Sequence, residues 1–361
     1  MMPNILTDNK MVIDRMYAGE LPGRDELKQL LSCHSKEDAE YLFKLARQVR
    51  ENAYGKDVYI RGLVEFTNYC RNNCYYCGIR HSNSNACRYR LSDEDIYNCC
   101  DEGYSLGFRT FVLQGGEDMY FTKEKLCGII EHIKKKHPDC AITLSVGERD
   151  YKDYLAWYES GADRYLLRHE TALAEHYNKL HPAEMSSGHR KECLWQLKDI
   201  GYQTGAGFMA GSPFQTPDCL VDDLYFLYEL KPHMAGIGPF IPQKDTPFAG
   251  RNSGTLEQTL FLLGITRLLL PDVLLPATTA LGTIAPDGRE RGLMAGANVV
   301  MPNLSPVSVR DKYNLYDNKI STGEESAQCT ELLRKRIEQT GYNMVTGRGD
   351  FKKYKQKQAG E

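Results

Sequence analysis

Eight short β-type runs, separated by stretches whose apolar residues recur at helical spacing, constrain this chain more than any other feature of its sequence. The runs are Val58 to Phe66, Thr110 to Leu113, Ala141 to Val146, Arg164 to Leu167, Gln203 to Met209, Ala235 to Gly238, Val273 to Thr279 and Asn298 to Met301. Helical patterns span Ser92 to Leu106 and lie near 122–136, 151–160, 188–200, 218–230 and 255–270. Strand and helix alternating in this way specify parallel βα units, since a meander needs only short turns between strands. Helix-ending glycines at Gly107, Gly161, Gly201 and Gly296 stand before four of the strands, whereas the turn at Pro232 to Met234 has none. The pattern predicts an α/β fold, a complete (βα)8 barrel of the TIM type over 53–310. A charged helical extension precedes it over 1–52, with Ser35 and Asp38 as a capping-box start. A C-terminal extension over 311–361 closes the barrel and ends in a loosely ordered polar tail. The 361 residues exceed the roughly 250 that such a barrel needs.

In a barrel of this kind chemistry belongs at the C-terminal ends of the strands. The first run opens there into Cys70-Arg71-Asn72-Asn73-Cys74-Tyr75-Tyr76-Cys77, three cysteines spaced C-x3-C-x2-C with no fourth. Three thiolates can hold three irons of a four-iron cubane and leave the fourth iron open. A structural zinc is the competing reading: Cys74 and Cys77 form one C-x2-C pair, and His81 could complete a Cys3His set. Against it, no second such pair follows within the roughly 15 to 20 residues usual for zinc sites.

Other runs end in Gln114-Gly115-Gly116-Glu117-Asp118, Arg168-His169-Glu170-Thr171 and Thr278-Thr279-Ala280. Two glycines permit close backbone approach to a ligand, although an ordinary βα turn also uses them. Alternation along an extended strand sends Arg168 and Glu170 to one side, either as a simple ion pair or as groups that grip a ligand. Arg190 opens a helix, and Thr278 and Thr279 offer hydroxyls that β-propensity alone would also explain.

Net charge and pI, −3 and about 6.3, give no electrostatic footprint for nucleic acid. No stretch reaches the ~18 consecutive apolar residues of a membrane helix, and the first sixteen residues alternate apolar with charged ones. The twelve cysteines are spread through a large chain, which suits reduced thiols and a cytoplasmic protein. Beyond the trio, Cys33, Cys87, Cys99, Cys100, Cys127, Cys140, Cys193, Cys219 and Cys329 read mainly as small buried hydrophobes.

The cysteine loop, the Gly115-Gly116-Glu117 turn and Tyr76 before the third cysteine resemble the radical S-adenosylmethionine (SAM) superfamily. Four longer runs narrow the match: Leu113 to Asp118, Gly161 to Thr171, Gly236 to Pro242 and Leu275 to Ala280. From about Asp57 to Tyr316 the chain is similar to the HydE family of FeFe-hydrogenase maturases. That resemblance implies one 4Fe-4S cluster on Cys70, Cys74 and Cys77, and SAM bound through Tyr76, Gly115, Gly116, Glu117, Glu170 and Arg190. It implies a substrate cavity lined by Arg168, Thr143, Thr278, Thr279 and Tyr313. The substrate would be a small organometallic species, a cysteine-bound iron dicarbonyl cyanide, which a 5'-deoxyadenosyl radical attacks. Partners would be the maturases HydG and HydF and an electron donor such as ferredoxin or flavodoxin, with neither nucleic acid nor membrane involved. A paralogue akin to biotin synthase or methylornithine synthase, acting on an organic substrate, is the alternative. Many family members carry a second three-cysteine set near the C-terminus; here those positions read Ser321, Cys329 and Leu332, which predicts a single cluster.

Overall fold

In the computed structural model, which describes residues 8–320 and 326–353, three helices lead into the sheet: Asn9–Tyr17, Arg24–Cys33 and Lys36–Tyr54. Ser35 and Asp38 bond reciprocally to each other's backbone N–H, satisfying two donors that a helix start leaves open. Ser92 and Asp95 do the same for Asp93–Ser105. Leu42, Leu45, Ala46 and Val49 form the buried face of the third helix, which packs on Leu256–Leu269. Gly264 permits that approach, because a Cβ there would lie 3.0 Å from Leu42.

The first predicted run is split in two. Strands β1 (Asp57–Ile60) and β2 (Gly62–Thr67) flank the buried Arg61, whose guanidinium lies 3.0 Å from the Met234 sulfur. There follow β3 (Thr110–Gly115), β4 (Ala141–Ser145), β5 (Arg164–Leu166), β6 (Gln203–Ala206), β7 (Met209–Ala210), β8 (Met234–Ala235), β9 (Gly238–Pro239), β10 (Val299–Val300) and β11 (Asn343–Val345). A parallel six-stranded sheet runs β2-β3-β4-β5-β6-β8; β7 pairs with β9, and β1 lies between β10 and β11. This is a TIM-barrel-like α/β fold.

The expected strand at Val273 to Thr279 is corrected. Only single bridges form there, Leu274 to Met234 and Pro276 to Val299, and a helix begins at Thr279 with Thr278 as its N-cap. Pro276 has no N–H to give a ladder, so regular pairing stops at that residue. Backbone bonds still continue beyond β8, from Ala235 N to Leu274 O, Ala277 N to Val299 O, and Tyr59 and Arg61 N to Asn298 and Val300 O. The four predicted glycine turns all have positive φ, and at the fifth, Lys231 takes the left-handed conformation itself (φ 47°).

Strand β11 was not anticipated. It carries 346–351 across the N-terminal ends of the strands, where Asp350 Oδ1 meets Arg164 Nη2 at 2.6 Å and Gln203 Nε2 at 2.7 Å. Arg348 Nη2 reaches Asp163 Oδ1 at 2.8 Å, and Gly349 passes so close to Tyr59 that a Cβ would lie 2.6 Å from its ring. Of the polar tail, only Phe351 to Lys353 fall within the described residues.

The reading of the remaining cysteines needs amendment. Cys99, Cys100, Cys140, Cys193 and Cys219 are buried, but Cys33 and Cys87 are exposed and Cys127 and Cys329 half-buried. No helix among the described residues is long and apolar enough to cross a membrane.

Candidate functional site

A cavity of about 330 Å³ opens at the C-terminal ends of the strands. Its wall gathers Cys70, Cys74, Cys77 and Tyr76 from the loop after β2, Gly115, Gly116 and Glu117 from the end of β3, and Arg168 and Glu170 from beyond β5. Arg190, Thr278, Thr279 and Tyr313 complete the predicted set there. Thr143 does not belong to this lining: it is buried within β4, with its hydroxyl lacking a hydrogen-bond partner among the described residues.

The cysteine loop is shaped by the β3 turn. Arg71 N donates to Glu117 O at 3.0 Å, and Glu117 N points at Cys70 Sγ at 3.4 Å. The buried Glu117 carboxylate accepts from Glu148 N at 2.7 Å and from the Asn72 amide, with Arg71 Nη2 at 3.3 Å. Glu117 is therefore fully engaged by protein donors and acts as a brace between the cysteine loop and the end of β4. Gly116 lies so close to the loop that a Cβ would fall 2.1 Å from Tyr69 O and 2.8 Å from Cys70 Cβ. Its neighbour is backbone, which cannot swing aside. Gly116→Ala should therefore displace Cys70, and anaerobic reconstitution of that variant should incorporate well under half the wild-type iron while its circular dichroism stays native.

Behind the loop, Gly78 N donates to Leu315 O at 2.8 Å, and Asn68 Nδ2 bonds the Lys312 and Cys87 carbonyls at 2.7 and 2.8 Å. Residues after the barrel thus form part of the cysteine pocket. Burial, and then the neighbouring Cys70, push the Cys77 thiol up to about 12; burial followed by Cys77 and Cys70 drives Cys74 well above the ordinary thiol range. Three thiolates can share this pocket only if cations neutralise them. Among the described residues no three His, Cys, Asp or Glu side chains converge as they would on a single ion.

Across the cavity, Arg168 Nη2 stands 3.0 Å from Glu170 Oε2. β5 has ended by this point, so the two meet through a bend and not by strand alternation: Glu170 adopts φ 64° and is held by Glu170 N to Gly207 O (3.1 Å) and Met209 N to Glu170 O (3.2 Å). Positive φ in a non-glycine residue is strained backbone of the kind found at functional sites. His169 turns away into the core, where Nδ1 accepts from Gly207 N at 3.3 Å and Nε2 lies 3.3 Å from Asp223 Oδ1. Burial lowers this histidine to about 3, so it is neutral and anchors the bend without titrating at the rim.

Arg190 pairs with Glu148, Nε to Oε1 at 2.5 Å, and both are buried. The Tyr76 hydroxyl meets His181 Nε2 at 3.1 Å, and their rings pack edge to face at 5.4 Å. On the far wall a buried pair joins Lys319 Nζ to Glu65 Oε1 at 2.6 Å; Asn303 bonds the other Glu65 oxygen at 2.9 Å, and Lys319 also donates to Tyr313 O at 3.1 Å. Glu148, His181, Glu65 and Lys319 were missed from the sequence. Glu148 lies in the turn that follows β4, one residue past Gly147, and had a positional signal, whereas Lys319 had none, since it enters from beyond the barrel.

The donors fit the implied groups. Arg168 Nε and Nη2, Glu170 Oε2 and Thr278 Oγ1 are buried atoms without an aligned hydrogen-bond partner among the described residues, and all belong to residues facing the cavity. A cation and a carboxylate that pair with each other, beside an unpartnered Thr278 hydroxyl in the same wall, suit a ligand that is itself zwitterionic.

The profile of the Radical SAM superfamily matches residues 64–227. The FeFe hydrogenase maturase subunit HydE of Thermotoga maritima is 48% identical over 318 residues, spanning 88% of this chain and 90% of that one. The 3-methylornithine synthase of Methanosarcina acetivorans is 30% identical over 319 residues, 88% of this chain and 89% of that one. Among solved structures, methylornithine synthase PylB superposes with a TM-score of 0.82 at 28% identity, covering 92% of this chain and 97% of that chain.

Proposed function

Because the chain belongs to the radical SAM superfamily, and within it to the HydE family of FeFe hydrogenase maturases, we propose that it is a radical SAM maturase of the HydE type. The observation that carries this reading is the meeting of the three cysteines with the Arg168–Glu170 pair and the unpartnered Thr278 hydroxyl in one 330 Å³ cavity. Cys70, Cys74 and Cys77 would hold one 4Fe-4S cluster. When bound, the cluster supplies the electron that cleaves the SAM sulfonium to a 5'-deoxyadenosyl radical.

The chain's own residues position and enclose. The β3 turn at Gly115 and Gly116 presents backbone carbonyls to the cofactor's ammonium. Glu170, fixed by its bend, accepts from the ribose hydroxyls. Arg190, paired with Glu148, would meet the methionyl carboxylate, and Tyr76, fixed by His181, would contact the adenine. Arg168, Thr278, Thr279 and Tyr313, which line the same cavity, grip the substrate, and the unpartnered Thr143 hydroxyl is proposed to serve it from β4. A barrel complete in eight strands, with extensions at 1–52 and 311–361, would exclude water from the reacting carbon; the backbone bonds continuing past β8 support that closure.

The substrate on this reading is a cysteine-bound iron dicarbonyl cyanide, HydG and HydF are partners, and the donor is a ferredoxin or flavodoxin in the cytoplasm. A purely organic substrate is the second reading, favoured by the likeness to methylornithine synthase. Anaerobic reconstitution should give about four irons per chain, with 5'-deoxyadenosine on reduction with SAM. Added to active HydF and HydG, the protein should mature an apo-hydrogenase. Cleavage without maturation, in components active with another HydE, would move the assignment to the organic substrate.

A further inference from the structure

Resting on the proposed function, we infer that the outer face of the cysteine loop is the docking surface for a small, acidic one-electron carrier protein. From Asn68 to Arg90 the chain carries Arg71, Arg80, Arg88, Arg90 and His81 and no aspartate or glutamate, within a protein whose net charge is −3. Arg71 and Arg90 are answered from the next turn by Glu117 and Asp118. Arg80 and Arg88 find no carboxylate among the described residues. Arg80 donates to Asn73 O, and Arg88 to the carbonyls of Asn68, Ile79, Arg80, His81 and Asn83. Asp245 also meets the loop, through Asn85 Nδ2 at 2.7 Å, but pairs with neither Arg80 nor Arg88, so these two charges stay unneutralised by a direct partner.

Where the loop meets the third strand's turn, at Tyr69 and Arg90, the surface is apolar. Tyr69 is 37% exposed, and Met119 and Tyr120 are each 52% exposed. The Arg90 guanidinium lies between the Tyr69 and Tyr120 rings, 3.9 and 4.6 Å from their centroids, and Asp118 fixes it through bonds of 2.7 and 2.9 Å. A rigid cation-aromatic platform with an exposed methionine is the composition that protein interfaces concentrate at their centres. Its position is specific: Tyr69 immediately precedes Cys70, and the turn bearing Met119 and Tyr120 also supplies Gly116 and Glu117, which pack on Cys70.

An acidic carrier seated here transfers one electron inward. The carrier is oxidised by one electron, the cluster is reduced by one, and no proton or bond moves. Charge complementarity would steer the encounter and make it salt-sensitive.

The test uses the full reconstituted chain under anaerobic conditions with an acidic plant-type ferredoxin as probe. Binding of the oxidised ferredoxin, read by interferometry, should weaken steeply as salt rises. In the double variant Met119→Glu/Tyr120→Glu it should weaken about tenfold or more, since like charges then oppose the carrier. Bleaching of the cluster by photoreduced ferredoxin should slow in parallel, while dithionite still bleaches it and still yields 5'-deoxyadenosine. Lys36→Glu, on the N-terminal helices, should bind as wild type. Unchanged binding in the double variant, salt-independent binding, or equal weakening in Lys36→Glu would overturn the docking site alone. Failure of dithionite to produce 5'-deoxyadenosine in the wild type would instead sink the proposed function, and this surface with it.

Discussion

Replacing Cys74 by serine is expected to lower bound iron well below the about four per chain of the reconstituted protein and to bring 5'-deoxyadenosine to background. Cys74 is the central cysteine of the trio, with burial and two neighbouring thiols pushing its own thiol well above the ordinary range. A thiolate in that pocket persists only when iron neutralises it, and a serine hydroxyl, far less acidic than a thiol, does not take its place. The fold should survive, because the loop is held by Glu117, Asn68 and Gly78 and not by the thiol. Cys329→Ser is the informative contrast. If one cluster serves the whole chain, that variant keeps its iron and its cleavage rate; a loss of about half the iron would reveal a second cluster. Iron analysis and product quantification on the two variants decide the matter, and full cleavage in Cys74→Ser would remove the cluster from this loop.

Asp350→Ala is expected to destabilise the protein by about 3–5 kcal/mol, the cost of leaving a buried charge without its partner. Arg164 is wholly buried at the N-terminal end of β5, and Asp350 meets it at 2.6 Å while also accepting from Gln203. Burial opposes ionisation of Asp350, but Arg164, Arg348 and Gln203 outweigh it and hold the carboxyl well below the usual carboxylate range. The folded carboxyl thus binds a proton less readily than the unfolded one. Its contribution is complete above the unfolded value of about 3.9 and declines as pH falls through and below it. The variant should lose that part of the acid-side slope as well as the stability, whereas Asp350→Asn, which can still accept from Gln203, should lose less. Urea unfolding from pH 3 to 7 reads both quantities; identical slopes in wild type and Asp350→Ala would refute the pair's role.

How far the site could be read in advance depended on whether its parts lie close in sequence. Cys70, Cys74 and Cys77 declare themselves by spacing, and the β3 turn by its paired glycines, because each is local. The pairing of Arg168 with Glu170 was anticipated for a reason that proved mistaken: β5 stops at Leu166, and a left-handed Glu170 produces the same meeting by a bend. Thr278 and Thr279 reach the cavity as a helix start and not as strand residues, since Pro276 interrupts the ladder.

By itself the sequence determined the βα order, the left-handed turns at Gly107, Gly161, Gly201 and Gly296, the capping boxes and the three-cysteine spacing. Each follows from steric or coordination rules acting over a few residues. Only the tertiary structure decided that Glu117 braces the cysteine loop, that Glu148 claims Arg190, that Lys319 enters the cavity to meet Glu65, and that 346–351 cross the opposite end on Arg164. These are contacts between residues as much as 254 positions apart, and they depend on where the curved sheet brings distant chain together, which no local pattern records.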